Sequence, residues 1–186
     1  RLLEPSDGSI KLDGAQSSDI TLKEWRRHIA FVSQDLFLIH GTIRDNIRFY
    51  DDTISDDGIW KAAEMARIAD FIRECPEGLD TAVGDRGIML SAGQRQRIVI
   101  ARALARQPEV LILDEATSAL DNESEAHIKR VIKELKGHLT IVAIAHRLST
   151  IMDSDQLIVL QEGRVVEIGA PKELLGNTNS YFYKVY

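Results

Sequence analysis

The stretch VLILDEATSALD, from Val110 to Asp121, decides the fold. Its four leading apolar residues show no alternation, which predicts a strand buried on both faces of a parallel sheet. Asp114 and Glu115 follow at the carboxyl end of that strand, where open α/β sheets bind their ligands. One carboxylate can hold Mg²⁺ while the other orients an attacking water, as phosphoryl chemistry requires. The same residues also fit a solvated strand end that precedes a helix.

The pattern around this stretch predicts an α/β sheet domain. Helices alternate with short apolar runs after Val110, and the run LTIVAIA, Leu139 to Ala145, predicts a second buried strand. Shorter strands are predicted at residues 9–12 and 29–33, and a hairpin at 155–160 and 164–168. Between them, apolar residues at helical spacing near residues 59–66 and 69–74 predict a mostly helical insertion covering about residues 35–104.

Length, composition and charge exclude several classes of protein. The 186 residues are 44% hydrophobic and 28% charged, which is ordinary for one globular domain. The formal net charge of −6 argues against nucleic acid as a partner, because phosphate binding needs a cationic surface. Cys75 is the single cysteine of the sequence, so an internal disulfide is excluded. The longest apolar stretch is far shorter than the roughly 20 residues of a membrane span.

A second chemical feature is LSAGQRQRIVIARAL, Leu90 to Leu104. Ser91 is placed to cap the start of a helix, and a helix start offers free N–H groups and a positive dipole end to a phosphate. Arg95, Arg97 and Arg102 add positive charge. The alternative is a capped amphipathic helix with solvated arginines.

These two segments and three others resemble the ATP-binding cassette (ABC) family. LSAGQ and the residues after it resemble the family's signature motif, and VLILDEATSALD resembles its Walker B strand, catalytic glutamate and D-loop. FVSQDLFLIHGTIRDNI (31–47) resembles the Q-loop segment, TAVGDRG (81–87) the segment that precedes the signature in exporters, and IVAIAHRLSTI (141–151) the H-loop. Because five motifs occur in family order, the chain is identified as a member of this family, with exporters as its subclass.

The resemblance implies a P-loop NTPase-like (RecA-like) parallel-sheet core formed by residues 1–34 and 105–186. Residues 35–104 would form an inserted helical subdomain that carries the signature motif. Glu115 would be the general base of ATP hydrolysis, and His146 the switch residue that contacts the γ-phosphate. Asp114 and Gln34 would bind Mg²⁺, and Gln34 would also couple the site to a membrane domain.

Further roles follow from the way in which two cassettes of this family pair head to tail around ATP. Ser91, Ala92, Gly93 and Gln94 would contact the ATP that is held mainly by the opposite subunit. Asp121, in the D-loop, would communicate across that dimer. The resemblance therefore implies ATP and Mg²⁺ as cofactors and a second cassette as partner.

The chain departs from the family pattern at two places. Ala92 stands where the family usually has glycine, which would cost about 1–2 kcal/mol only if that residue needed a positive φ. The phosphate cradle G-x-x-x-x-G-K-[ST] (Walker A) does not occur in the sequence, since no glycine is followed by lysine. RLLEPSDGSIKLDG resembles the segment after that cradle, so we expect the chain to begin beyond it, as an N-terminally truncated domain.

The expected function is that of the nucleotide-binding domain of an ABC exporter, an ATPase at the cytoplasmic face of a membrane. The membrane domain would precede it in the same polypeptide and would select the transported substrate, with residues 37–50 receiving its coupling helices. The alternative is a cassette fragment that binds no nucleotide alone and donates its signature face to a complete partner.

Overall fold

The computed structural model describes residues 5–116, 122–145 and 147–186. Contacts divide the chain into two compact units, Arg1–Ala143 and Ile144–Tyr186. In the described part of the first unit the helices are α1 (Leu22–His28), α2 (Ile43–Arg48), α3 (Asp56–Met65), α4 (Ala69–Glu74), α5 (Ala92–Leu104) and α6 (Asn122–Leu135). Its strands are β1 (Lys11–Leu12), β2 (Ala15–Gln16), β3 (Ile29–Val32), β4 (Val110–Asp114) and β5 (Thr140–Ile144), of which the last residue, Ile144, is counted with the second unit.

Three of the helices begin with a capping box, in which a side-chain hydroxyl and the side chain three residues later satisfy each other's backbone N–H groups. This arrangement explains why these helices start where they do, because the first N–H groups of a helix have no partner within it. The pairs are Thr21 with Glu24 in α1, Thr42 with Asp45 in α2, and Ser91 with Gln94 in α5.

The central sheet has the strand order β3-β4-β5, and β3 pairs parallel with β4. The register places Ile29 beside Val110 and Val32 beside Leu113. Parallel strands need a crossover connection, and the helical segment α2–α5 supplies it here. The α/β architecture expected from the sequence is confirmed.

The hydrophobic core is continuous from the helical segment to the sheet. Val32, Leu111 and Leu113 are each at most 2% exposed and belong to the same cluster as Ile98 of α5 and Ile128 of α6. Helix α5 contacts α2, α3 and β3, so it joins the helical segment to the strands.

Strand burial differs from the expectation. In β4, residues on one side are buried and those on the other side are half-buried, because the buried cluster covers one face of the sheet. In β5, Val142 is 49% and Ile144 50% exposed, so the expected burial on both faces is wrong for this strand, which lies at the sheet edge. The strand predicted at residues 9–12 is shorter than expected, with only Lys11–Leu12 paired.

The second unit is built on the hairpin of β6 (Leu157–Gln161) and β7 (Arg164–Gly169), which confirms the hairpin expected there. Its helices in the described residues are α7 (Leu148–Ile151), α8 (Pro171–Gly176) and α9 (Tyr181–Val185). The Glu167 carboxylate accepts hydrogen bonds from the Ser180 hydroxyl (2.8 Å) and the Phe182 N–H (3.0 Å) at the start of α9. These bonds lower the pKa of Glu167 and hold α9 to the hairpin. Across the described residues, no helix is both long enough and apolar enough to cross a membrane.

Candidate active site

Gln34 and Glu115 lie together at the carboxyl ends of two adjacent parallel strands. Gln34 follows the end of β3 at Val32, and Glu115 directly follows Asp114, the last residue of β4. Gln34 Nε2 donates a hydrogen bond of 2.9 Å to Glu115 Oε2. The sheet therefore brings together two residues that are 81 positions apart in the chain, at the edge where α/β sheets bind ligands.

The backbone at Glu115 is left-handed, with a φ of 49°. This conformation costs a residue with a β-carbon about 1–3 kcal/mol, and it occurs preferentially at functional sites. It also ends β4 abruptly, so that Asp114 belongs to the strand and Glu115 to the turn after it. Asp114 and Glu115 are both half-buried, but the backbone is extended at Asp114 and left-handed at Glu115.

The donor chemistry at this edge fits Mg²⁺ held jointly with phosphate groups. Within the described residues, no group of three or more His, Cys, Asp or Glu side chains could hold a metal ion by itself. Mg²⁺ is commonly bound through one or two carboxylates together with substrate phosphates and water. Asp114 can supply a carboxylate and Gln34 the amide oxygen Oε1, since its Nε2 is engaged with Glu115.

The start of α5 presents the predicted signature residues. Ser91 precedes the helix as its N-cap; its hydroxyl accepts from the Gln94 N–H (3.2 Å), and its own N–H donates to Gln94 Oε1 (2.8 Å). Ala92 is the first helical residue and is not among the residues with positive φ. The alanine at this position therefore carries no backbone strain, which resolves the question raised by the missing glycine. Gly93 is buried in the first turn.

Two predicted residues, Asp121 and His146, lie outside the described residues. Their expected roles in the D-loop and at the γ-phosphate therefore stay predictions.

A polar network centred on the buried Asn46 joins α5 to the segment after Gln34, and the sequence pattern does not predict it. Asn46 is completely buried; its amide donates to the carbonyls of Ile39 and Thr42, both at 3.0 Å, and its Oδ1 accepts from the Ile39 N–H at 2.9 Å. Arg102 donates to the Asn46 carbonyl (2.7 Å) and to Asn46 Oδ1 (3.0 Å). Nothing in the local pattern marked Asn46, because an isolated asparagine in a helix is usually exposed.

Arg102 is a half-buried cation whose hydrogen bonds go to neutral acceptors. It also donates to the Phe37 carbonyl (2.8 Å), and its guanidinium lies 4.2 Å from the centre of the Phe49 ring. Burial lowers the pKa of Arg102 to about 10, so the group stays charged at neutral pH. In the described part of the chain, no carboxylate forms an ion pair with it.

A cavity of about 280 Å³ lies beside this network. Its lining includes three aromatic side chains, Phe31, Phe37 and Phe49, and Arg102 and Arg106. Phe31 and Phe37 are each 59% exposed. An apolar, cationic concavity adjoining the segment after Gln34 is a candidate surface for a protein partner.

Comparison with known proteins identifies the class to which this fold and site belong. The family model described as ABC transporter matches residues 1–118, and the chain belongs to this family. The resemblance seen in the five sequence motifs is thereby confirmed.

Individual relatives are exporters and ATP-binding proteins. The chain is 50% identical over 94% of its length to the heterocyst differentiation ATP-binding protein HepA of Nostoc sp., and 47% identical over 98% to an ATP-dependent lipid A-core flippase of Idiomarina loihiensis. It spans 29% and 31% of the length of these curated relatives. The structure of a bacterial Atm1-family ABC exporter with ATP bound matches 99% of the chain and 32% of that exporter, with a TM-score of 0.88 and 41% identity.

Proposed function

We propose that the chain is the nucleotide-binding domain of an ABC exporter and couples ATP binding and hydrolysis to transport across a membrane. The observation that carries this proposal is the Gln34–Glu115 hydrogen bond at the carboxyl edge of the parallel sheet. The similarity of the chain to a flippase described as ATP-dependent and to an exporter with ATP bound supports the same function.

Glu115 is the proposed general base, which orients the water that attacks the γ-phosphate and takes up its proton. Gln34 orients the Glu115 carboxylate by donating a hydrogen bond to its Oε2. Asp114 and Gln34 would hold Mg²⁺. When bound, that ion neutralises charge on the phosphate oxygens.

The start of α5 is proposed to contact ATP of a second cassette in a head-to-tail dimer. The support is that Ser91 is exposed at the start of α5, a helix of 13 residues. At such a helix start, backbone N–H groups and the helix dipole favour the binding of phosphate. Ala92, Gly93 and Gln94 complete this proposed surface. Asp121 and His146 are proposed to act from the D-loop and H-loop.

The proposed membrane-domain partner docks at the cavity beside Phe37. The proposed helical subdomain, residues 35–104, and the proposed core, residues 1–34 and 105–186, both contribute to this surface: Phe37 and Phe49 come from the subdomain and Phe31 and Arg106 from the core. Exposed aromatic rings provide the apolar contact area that a partner helix buries, and Arg102 links the cavity to the residues after Gln34. The domain would then lie at the cytoplasmic face of the membrane, and the membrane domain would select the substrate.

The catalytic part of the proposal is tested in the full-length protein that contains this chain. Purified protein should hydrolyse ATP in a vanadate-sensitive reaction, and Glu115→Gln should lower the rate at least about a hundredfold. Glu109→Gln is the matched control, since Glu109 lies at the opposite end of β4 and pairs with His28 at 3.0 Å. Undiminished turnover in Glu115→Gln would show that Glu115 is not the base.

The docking part has its own test. Phe37→Asp should impair assembly with the membrane domain and uncouple ATP hydrolysis from transport, because a charge would then replace an apolar contact. Val165→Asp is the control, since Val165 is 54% exposed on the hairpin, far along the chain from the cavity residues. Equal transport by the two variants would contradict docking at Phe37.

A further inference from the structure

The first turn of α5 and the first turn of α6 approach each other at Gly93 and Ser124. A β-carbon added at Gly93 would lie 2.3 Å from Ser124 Oγ and 2.8 Å from Ser124 Cβ. Neither distance occurs between real non-bonded atoms of this kind. Glycine is therefore required at position 93 by a neighbour in the same subunit, and its helical backbone does not require it.

This contact joins two segments with separate roles in the proposed function. Gly93 lies two residues after Ser91, the N-cap of α5. Ser124 lies three residues after Asp121, in the helix that follows the expected D-loop. Helices α5 and α6 contact each other, and Gly93 is buried at the contact.

We propose that Ser124 is a positioning residue for the signature motif. By seating against the backbone of Gly93, its side chain fixes the start of α5, with the Ser91 hydroxyl and the free N–H groups, relative to the start of α6. Displacement of α6 then displaces the ATP-contacting face of the same subunit. This inference rests on the proposed function and concerns contacts within one subunit, whereas the resemblance assigns Gly93 only to ATP of the opposite one.

The inference is tested in the full-length protein by enlarging the side chain at position 93 and shortening the one at position 124, singly and together. Gly93→Ala adds a methyl group to a filled space, and such overpacking shifts neighbouring backbone. We expect the ATP concentration for half-maximal hydrolysis to rise roughly tenfold, with weaker ATP-dependent dimerisation. Ser124→Gly leaves a gap and should raise the same concentration by a smaller factor.

The double variant Gly93→Ala/Ser124→Gly should restore ATP affinity toward the wild-type value. Without the serine side chain, the nearest atom to the new methyl group is Ser124 Cα at 3.7 Å, an ordinary contact distance. Gly93→Ala/Ser124→Ala should be rescued in part, since it removes the 2.3 Å contact and keeps the one at 2.8 Å. Gly58→Ala is the matched control, because Gly58 lies in the first turn of α3 and its added β-carbon would meet side-chain atoms no closer than 3.4 Å.

The outcomes separate three explanations. If Gly93→Ala stays impaired in both double variants, the methyl group collides with nucleotide or with the other subunit, and the inference is wrong. The variants could instead leave ATP affinity unchanged and lower both the maximal rate and the folded fraction in thermal unfolding. In that case the contact only supports folding, and the inference is wrong as well. If wild-type protein hydrolyses no ATP, the proposed function itself fails, and ATP-dependent dimerisation of the same variants then decides the inference.

Discussion

Gln34 Nε2 lies 2.9 Å from Glu115 Oε2, and this hydrogen bond joins the ends of β3 and β4. It gives the proposed general base a fixed orientation, because an amide donor at one carboxylate oxygen restricts rotation of the whole group. It also makes the chemistry at Glu115 sensitive to the residue at position 34.

Gln34→Glu tests this sensitivity through pH. Two carboxylates at hydrogen-bond distance disfavour each other's charged form and raise the pKa of the pair. Since a general base must be deprotonated, we expect the acidic limb of the pH–rate profile to move to higher pH by about one unit or more. The measurement is vanadate-sensitive ATPase activity against pH in the full-length protein. Gln34→Leu adds no charge but removes a hydrogen bond to the carboxylate, so it should lower the rate and move this limb less than Gln34→Glu does. An equal shift in both variants would refute the charge argument.

Ser91→Ala separates the structural and functional roles of the α5 cap. Loss of an N-cap hydroxyl costs about 1 kcal/mol of stability. Ser55→Ala in α3 is the matched control, because the Ser55 hydroxyl also accepts from the N–H three residues on, that of Gly58, at 3.2 Å. We expect similar losses of unfolding free energy in both variants and a marked loss of ATPase activity only in Ser91→Ala. Equal activities would show that the Ser91 hydroxyl is only a cap.

Asn46→Ala should destabilise the helical segment more than any surface change. It removes four hydrogen bonds from a completely buried site and leaves Arg102 Nη2 and the Ile39 N–H without this partner. Unsatisfied buried groups cost about 1–3 kcal/mol each, so we expect a loss of roughly 3 kcal/mol in chemical denaturation. Asn177→Ala, in the loop after α8, is the control and should change stability little. A loss below that of the control would mean that water replaces the Asn46 side chain.

Glu167 makes the stability of the second unit depend on pH. Its carboxylate accepts hydrogen bonds at the start of α9, first of all from the Phe182 N–H, and these lower its pKa in the folded state. The resulting stability is complete above the pKa of an unfolded glutamate, near 4.3, and is lost as pH falls through the lower folded value. Glu167→Gln should therefore be less stable than wild type at neutral pH, and the difference should shrink below about pH 4. Thermal unfolding at several pH values measures it, and a constant difference would contradict this origin.

Much of the fold followed from local patterns. The helix at 69–74 and the strand that begins at Val110 have the predicted positions, and the hairpin of β6 and β7 was expected from two apolar runs around Gln-Glu-Gly. Such elements are readable because periodicity and turn residues act over a few positions. The exposure of Val142 and Ile144 in β5 could not be predicted from the sequence, since it depends on which other elements cover the strand.

The sequence by itself determined the family and the identity of the candidate site residues, because motifs such as LSAGQ and VLILDEATSALD are contiguous. Only the tertiary structure decided which distant residues touch. The bond between Gln34 and Glu115, the burial of Asn46 under Arg102, and the approach of Ser124 to Gly93 all join segments that are far apart in the chain. Side-chain packing between such segments depends on the relative placement of whole helices and strands, and that placement is fixed by the shared core around α5.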